Sequence, residues 1–198
     1  MYYIAKRCFD IFSSLIVLTL LFPLLFIVGL WIVLDSEGGM FYRQKRIGKN
    51  GRAFYLLKFR SMRPNSDKSG QITVGNDQRV TKIGKFIRKY KIDEFPQLLN
   101  VIKGDMSIVG PRPEVPEYTR YYTDEQKKVL TILPGLTDYA TLEYIDEQVI
   151  LGKAENPEEV YITQVMPDKL QLNLRYLEER SFLLDIKLIF RTIRKIIR

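Results

Sequence analysis

Apolar and polar positions divide the chain into blocks of different period. From Ile11 to Leu34 there are 24 consecutive residues without a charge, bounded by Asp10 and Asp35. A helix of that length measures ~36 Å at ~1.5 Å per residue. That exceeds the ~30 Å hydrocarbon core of a bilayer. Pro23 lies mid-run, removes one backbone donor and frees the Thr19 carbonyl, which favours a break or kink there. Ser13, Ser14 and Thr19 are placed to satisfy freed backbone groups. Each limb then spans about half a bilayer. Lys6 and Arg7 precede the run, and Arg43, Lys45, Arg46, Lys49 and Arg52 follow it. Positive charge at both ends selects no single crossing, so a re-entrant hairpin with both ends in the cytoplasm fits better than one kinked span. A buried helix of a soluble protein is the plain alternative. The length of the apolar stretch and the lack of an Ala-x-Ala-like site argue against a cleaved signal peptide.

Beyond the run the period changes. Met40–Arg43 and Ala53–Met62 predict short strands, with Gly48, Asn50 and Gly51 as the turn. Residues 64–78 are polar and read as a mobile loop. Val80–Lys91 repeats Ile83, Phe86, Ile87 and Tyr90 at helical spacing. A second helix is expected from Asp93 as N-cap, with Pro96 in its first turn, Leu98, Leu99 and Ile102 on its apolar side and Gly104 as its stop. The stretch GDMSIVGPRPEVPEY predicts an extended, stiff loop. Thr123–Ile132 reads as helix and Pro134–Gly135 as a turn. Residues 143–168 lean acidic; Pro157 opens a further helix, and Leu170–Glu179 continues the pattern.

The chain ends SFLLDIKLIFRTIRKIIR. Phe182, Ile186, Ile189, Ile193 and Ile196 share one helical face, and Lys187, Arg191, Arg194 and Arg198 another. Such a basic amphipathic helix suits an anionic membrane interface; the alternative is a helix packed on the core with a solvated basic face. The fold class expected is mainly α with a small β element (α+β). Its parts are a re-entrant anchor over residues 1–38, a cytosolic-face catalytic domain over 39–180 and an interfacial helix over 181–198.

Charge and composition narrow the chemistry. The 198 residues suit one domain plus an anchor, and 46% hydrophobic residues supply a core. A net charge of +8 favours phosphate-rich partners. There is no histidine, which removes the usual general base and every Ser-His or Cys-His nucleophile. Cys8 is the single cysteine, so neither an intrachain disulfide nor a cysteine-cluster zinc site can form. An enzyme built this way must use carboxylates, Lys, Arg, Tyr or a metal.

Asp93 and Glu94 are adjacent acids set among Arg88, Lys89, Lys91, Lys103 and Arg112. Alone, they read equally as an N-cap and a first-turn acid that complements the helix dipole. In the catalytic reading one carboxylate attacks phosphorus and the other holds Mg²⁺, an ion that needs only one or two carboxylates beside substrate phosphates. Arg88 and Arg112 are candidate diphosphate clamps, with Lys58 and Arg60 behind them. Pro111 and Pro113 hold Arg112 in a stiff backbone.

These residues carry a resemblance. The segments KRCFDIFSS, FYRQKRIG, FYLLKFRSM, TKIGKFIRKYKIDEFPQLLNVIKGDMSIVGPRP, LPGLTDYA and SFLLDIKLIF resemble the bacterial sugar transferases, or monotopic polyprenol phosphoglycosyl transferases, over almost the whole length. The resemblance implies transfer of a sugar 1-phosphate from a UDP-sugar to polyprenol (undecaprenyl) phosphate, with release of UMP. It implies Asp93 as covalent nucleophile, Glu94 as the acid tied to Mg²⁺, and Lys58, Arg60, Arg88 and Arg112, with Pro111, as the substrate and phosphate group. It further implies a re-entrant helix at the cytoplasmic face of a bacterial inner membrane, in contact with lipid. One segment departs: where many members continue with Gly-Trp-Ala-Gln, this chain has Asp138–Tyr139–Ala140–Thr141, which bears on the choice of sugar. A minimal catalytic unit without a further multi-span domain is expected. Two other classes compete: a membrane adaptor that binds anionic lipid, and a membrane-anchored nucleic-acid binder. No helix-turn-helix, zinc site or aromatic-basic interleaving supports the second, so no nucleic-acid partner is expected.

Overall fold

The computed structural model describes residues 2–64, 66 and 77–197. It is 62% helical with little sheet, as the α+β expectation requires. The apolar run forms α1 (Tyr2–Asp35), 34 residues with Pro23 inside. Pro23 does not end the helix; one missing donor leaves the remaining ladder to carry it. The Ser13 hydroxyl turns back onto the Phe9 carbonyl, whereas the buried Ser14 hydroxyl has no partner among the described residues.

α1 is held at both ends and bare between them. Near its start, the Tyr2 hydroxyl and Lys6 ammonium donate to Asp185 at 3.0 and 2.8 Å. Arg7 donates to the carbonyls of Val101 and Ile102, and Asp10 accepts from the Ser107 hydroxyl and the Ile108 amide. Near its end, Val28 and Ile32 pack with Phe59, Ile83 and Ile87. Asp35 accepts from the Ile83 amide. Between these ties Leu20 and Phe22 are 73% and 65% exposed.

Strands β1 (Phe41–Ile47) and β2 (Ala53–Phe59) pair antiparallel, with Tyr42 opposite Lys58 and Lys45 opposite Tyr55. Asn50 and Gly51 take positive φ in the turn, where side chains are strained and glycine is free. The first strand is longer and the second shorter than the pattern predicted. The polar 64–78 expectation falls largely on residues 65 and 67–76, outside the described set.

Helix α2 (Lys82–Lys89) is capped by Thr81, whose hydroxyl accepts from the Gly84 amide at 3.0 Å. Lys91 then adopts a left-handed backbone, and Ile92–Glu94 form a single 3₁₀ turn leading into α3 (Gln97–Lys103). This corrects the expected cap: Pro96 occupies the N-cap of α3, and Asp93 lies inside the preceding turn. The left-handed Lys91 redirects the chain before Asp93, so the acid never reaches the capping position. Gly104 ends α3 with φ 97°, as expected.

The Gly-Pro stretch is less uniform than its sequence suggested. Ser107–Val109 form β3, which pairs in parallel with β4 (Gly135–Thr137), so Pro134–Gly135 opens a strand. The backbones are pressed together at Gly135, where an added Cβ would lie 2.2 Å from the Gly110 nitrogen. Helix α4 (Pro116–Thr119) follows; the expected helix at Thr123–Ile132 is a 3₁₀ stretch over Gln126–Thr131. Short helices α5 (Tyr139–Glu143), α6 (Glu147–Leu151) and α7 (Pro157–Val160) lead through a π-type turn into α8 (Met166–Glu179).

The last helix, α9 (Phe182–Ile197), packs Leu188 with Val109, Leu142 and Tyr176. Its buried side is centred on Asp185 and Leu188, so the expected apolar stripe is displaced. Phe182, Leu183, Phe190 and Ile193 are the exposed apolar residues, interleaved with exposed Lys187, Arg191 and Arg194. Arg198 lies outside the described residues.

Candidate active site

The acid pair sits on the link between α2 and α3, facing β2 and the Pro-Arg-Pro loop. Glu94 is pinned. Its Oε1 accepts from Arg112 Nη2 at 2.5 Å and its Oε2 from Arg112 Nη1 at 3.1 Å, a bidentate fork. Lys58 Nζ stands 3.8 Å from Oε1. Asp93 is different: it is 6% exposed, and its Oδ1 is buried without a hydrogen-bond partner.

The two acids are driven apart electrostatically. Burial pushes the Asp93 carboxyl up from its ordinary value, and the Glu94 charge adds to this; Lys58, Arg88 and Lys91 only partly oppose it. Burial also acts on Glu94, but Arg112 and Lys58 outweigh it and hold that carboxyl well below the usual range. Lys58 is lowered to about 8 by burial and by the Arg112 charge, against the pull of Glu94. Arg112 is raised by Glu94. One acid is thus a fixed anion and its neighbour a strained, unpaired carboxyl, the separation of roles that a two-acid site requires.

The other candidates occupy distinct places. Arg88, on the last turn of α2, has no side-chain hydrogen bond or ion pair among the described residues, and its charge is felt at Asp93. The Pro111 carbonyl accepts from the Gly135 amide at 2.9 Å, so that residue fixes the loop. Arg60 points elsewhere. It is 8% exposed, and its Nη2 donates to the Ile32 carbonyl, the Ser36 carbonyl and the Ser36 hydroxyl at the end of α1. In this structure its bonds serve as a C-terminal cap for the membrane-length helix rather than as part of the Glu94 cluster.

Two site-supporting residues escaped the pattern. Half-buried Arg46 donates to the Pro113 carbonyl at 2.9 Å and pairs with Glu114 at 3.4 Å. Asp138, with no exposed surface, accepts from the Arg112 and Thr141 amides. Its Asp-x-x-Thr spacing before a helix is an N-cap signature that would have flagged the second bond. Nothing local signals the first.

Among the described residues no group of three or more His, Cys, Asp and Glu side chains could hold a metal. The acid pair still suits Mg²⁺: the buried Asp93 Oδ1 lacks a partner, and each Glu94 oxygen keeps a lone pair beyond its bond to Arg112. Substrate oxygens would have to complete the shell.

One helix long and apolar enough to cross a membrane, joined to a basic domain with a paired-carboxylate site, defines a membrane-associated protein. The chain belongs to the bacterial sugar transferase family, which matches residues 1–198. It is 36% identical over 200 residues to the UDP-N-acetylgalactosamine-undecaprenyl-phosphate N-acetylgalactosaminephosphotransferase of Aeromonas hydrophila, covering 99% of this chain and 44% of that protein. It is also 36% identical over 194 residues to the UDP-glucose:undecaprenyl-phosphate glucose-1-phosphate transferase of Xanthomonas campestris, covering 96% of this chain and 38% of that one. A match of 37% over 206 residues to the exopolysaccharide production protein PSS of Rhizobium leguminosarum covers 96% and 94%. The chain therefore spans under half of some relatives and nearly all of another.

Proposed function

We propose that this protein transfers a sugar 1-phosphate from a UDP-sugar to polyprenol (undecaprenyl) phosphate at a membrane surface, beginning surface glycan assembly. The observation that carries the reading is the asymmetry of the acid pair: Glu94 is clamped by Arg112 and Lys58, while Asp93 keeps a buried oxygen with no partner. The names of the relatives support the donor and acceptor classes.

An Asp93 oxygen attacks the sugar-bearing phosphorus. The bond from that phosphorus to the UMP oxygen breaks, and the electron pair leaves with UMP. A phosphosugar ester of Asp93 remains. An oxygen of the polyprenol phosphate then attacks the same phosphorus, and Asp93 leaves as its carboxylate. Neither step requires a proton to move: UMP is a stable anion, and a phosphate monoester with a second pKa of about 6 is largely dianionic at neutral pH. A chain without histidine can therefore do this chemistry. Arg112 uses two N–H donors on Glu94 and has others left for phosphate oxygens. Arg88, whose side chain has no partner among the described residues, is placed on the neighbouring turn to add charge. Glu94 would hold Mg²⁺, which when bound supplies neutralisation of charge on the diphosphate.

The topology proposed is re-entrant. Tyr2–Asp10 and Val28–Asp35 are bonded to one and the same domain. A single crossing would separate these two sets of contacts by a bilayer. The exposed middle of α1 would dip into lipid and return, with the exposed residues of α9 at the cytoplasmic interface.

Purified protein incubated with Mg²⁺ and a panel of UDP-sugars, then weighed intact, tests the chemistry. A phosphosugar adduct that maps to Asp93 is expected. No adduct and no UMP with any donor, in a folded sample, would refute it. Single cysteines near residues 3 and 38 in a Cys8→Ser background test the topology with an impermeant label. Labelling from opposite faces would exclude the hairpin.

A further inference from the structure

We infer that Asp138 is a positioning residue that fixes the reach of Arg112 toward Glu94; this rests on the reading of the acid pair given above. β3 and β4 form a short parallel pair. Around that pair, the Ser107 amide donates to the Pro134 carbonyl, the Gly110 amide to the Thr137 carbonyl and the Gly135 amide to the Pro111 carbonyl, so the chain after β3 stays bonded to β4. No backbone carbonyl among the described residues accepts from the Arg112 amide. The Asp138 side chain, just after β4, accepts instead. Its Oδ2 accepts from the Arg112 amide at 3.1 Å and its Oδ1 from the Thr141 amide at 2.6 Å.

The carboxylate therefore does two jobs with two oxygens. One caps α5; the other holds the backbone of the residue that carries the guanidinium. Asp138 has no exposed surface, so the geometry is not averaged by solvent. The loop is held on either side: Gly110 and Pro111 by β4, Pro113 by Arg46, and Glu114 by the Ile47 amide. Arg112 is the residue whose backbone depends on Asp138. Its side chain makes the fork on Glu94 at 2.5 and 3.1 Å, and a forked contact tolerates little displacement of its root. A change of about 1 Å in such a constellation costs on the order of 100-fold in rate. The negative charge of Asp138 also faces Arg112, so the guanidinium lies between two acids and stays a cation.

The two jobs can be separated. Asp138→Ser keeps one hydroxyl oxygen, which caps a helix about as well as a carboxylate, but it cannot serve two donors pointing different ways. The experiment measures UMP release, donor KM and thermal midpoint for the full chain and for Asp138→Ser, Arg112→Ala and the double variant. Expected are a thermal midpoint lower by roughly 2–10 °C for Asp138→Ser, because the Arg112 amide loses its acceptor, a kcat lower by about 10-fold to 100-fold, and a donor KM within about twofold of the parent, because the altered contact lies at the reacting centre. The double variant should be no slower than Arg112→Ala alone, since both changes act through one group. If Asp138→Ser does not fold, Asp138→Asn, which retains the size and one acceptor oxygen, replaces it in the same cycle. A folded Asp138 variant with parental kcat, or a double variant whose losses multiply, overturns the inference and leaves the acid-pair reading standing. An Arg112→Ala protein of parental activity overturns that reading first, and this inference with it.

Discussion

Replacing Asp93 by asparagine should separate stability from activity. The carboxylate is buried, its Oδ1 has no partner, and it lies beside the permanently charged Glu94. Leaving a buried polar oxygen unsatisfied costs roughly 1–3 kcal/mol, more when it is charged. An amide of the same shape removes the charge without opening a cavity. Asp93→Asn should therefore be as stable as the parent or up to about 2 kcal/mol more stable. For a chain of this size that is a change in thermal midpoint from none to a rise of roughly 8 °C. The pH dependence has a definite sign. The folded Asp93 pKa is raised, so the parent loses stability as pH climbs from the unfolded value through the folded one. The advantage of Asn is then absent in acid, below the ordinary carboxylate value, and complete above the folded pKa. Activity should move the other way. Loss of a covalent nucleophile should lower UMP release by at least ~10³-fold and abolish the phosphosugar adduct. The assays are intact mass, UMP release and thermal unfolding in lipid nanodiscs at several pH values. An Asn variant that still forms the adduct, or that is several kcal/mol less stable with no pH trend, would contradict the account of Asp93.

Lys58 has to be cationic to support Glu94, so turnover should fall as pH rises through about 8; Lys58→Arg should move that alkaline limb upward in a pH–rate profile. Chelation with EDTA should abolish UMP release, and added Mg²⁺ restore it, with little change in thermal midpoint, because no three-ligand protein cluster is present among the described residues. Turnover that survives chelation would remove the metal from the proposal. Gly84→Ala would place a Cβ 2.0 Å from the Ser61 carbonyl oxygen, so α2 must shift; a loss of about 2–3 kcal/mol is expected by thermal or denaturant unfolding.

What could be read in advance was whatever a single stretch of chain declares. The 24-residue uncharged run, the β1–β2 turn with Asn50 and Gly51, the stop at Gly104 and the adjacency of Asp93 and Glu94 all have local signatures. What escaped depends on partners far along the chain. β3 and β4 are three residues each, too short for any period to register, and are defined only by each other. Asp93 looked like a cap because Asp before a helix usually is one; the left-handed Lys91 that displaces it has no marker of its own. Arg60 sits two residues beyond Lys58, so β-alternation puts both on one face, yet Lys58 meets Glu94 while Arg60, just past the end of β2, closes the carbonyls of α1. Asp138 and Arg46 act on the Pro-Arg-Pro loop across 26 and 67 residues of sequence. Composition narrowed the chemistry; only the tertiary arrangement shows which cations are engaged.

That arrangement also explains why the acids lie where they do. The link carrying Asp93 and Glu94 joins α2 to α3, and both helices rest on α1: Ile83 and Ile87 pack against Val28 and Ile32, while Arg7 caps the end of α3. β2 makes a second connection, with Lys58 at Glu94 and Arg60 just beyond on the end of α1. The acid pair is therefore braced from both sides by the helix whose bare middle faces solvent in the isolated chain and would face lipid in a membrane. A reaction between a water-soluble nucleotide and a lipid-borne phosphate needs its nucleophile at a fixed height above the bilayer. In the topology proposed above, the ties at both ends of α1 would set that height through directional hydrogen bonds. A change such as Asp10→Ala, remote from the acids but able to loosen α1 from Ser107 and Ile108, should accordingly weaken the second half-reaction, transfer to the lipid phosphate, more than formation of the Asp93 adduct. Equal loss in both halves would mean that Asp10 merely supports the fold.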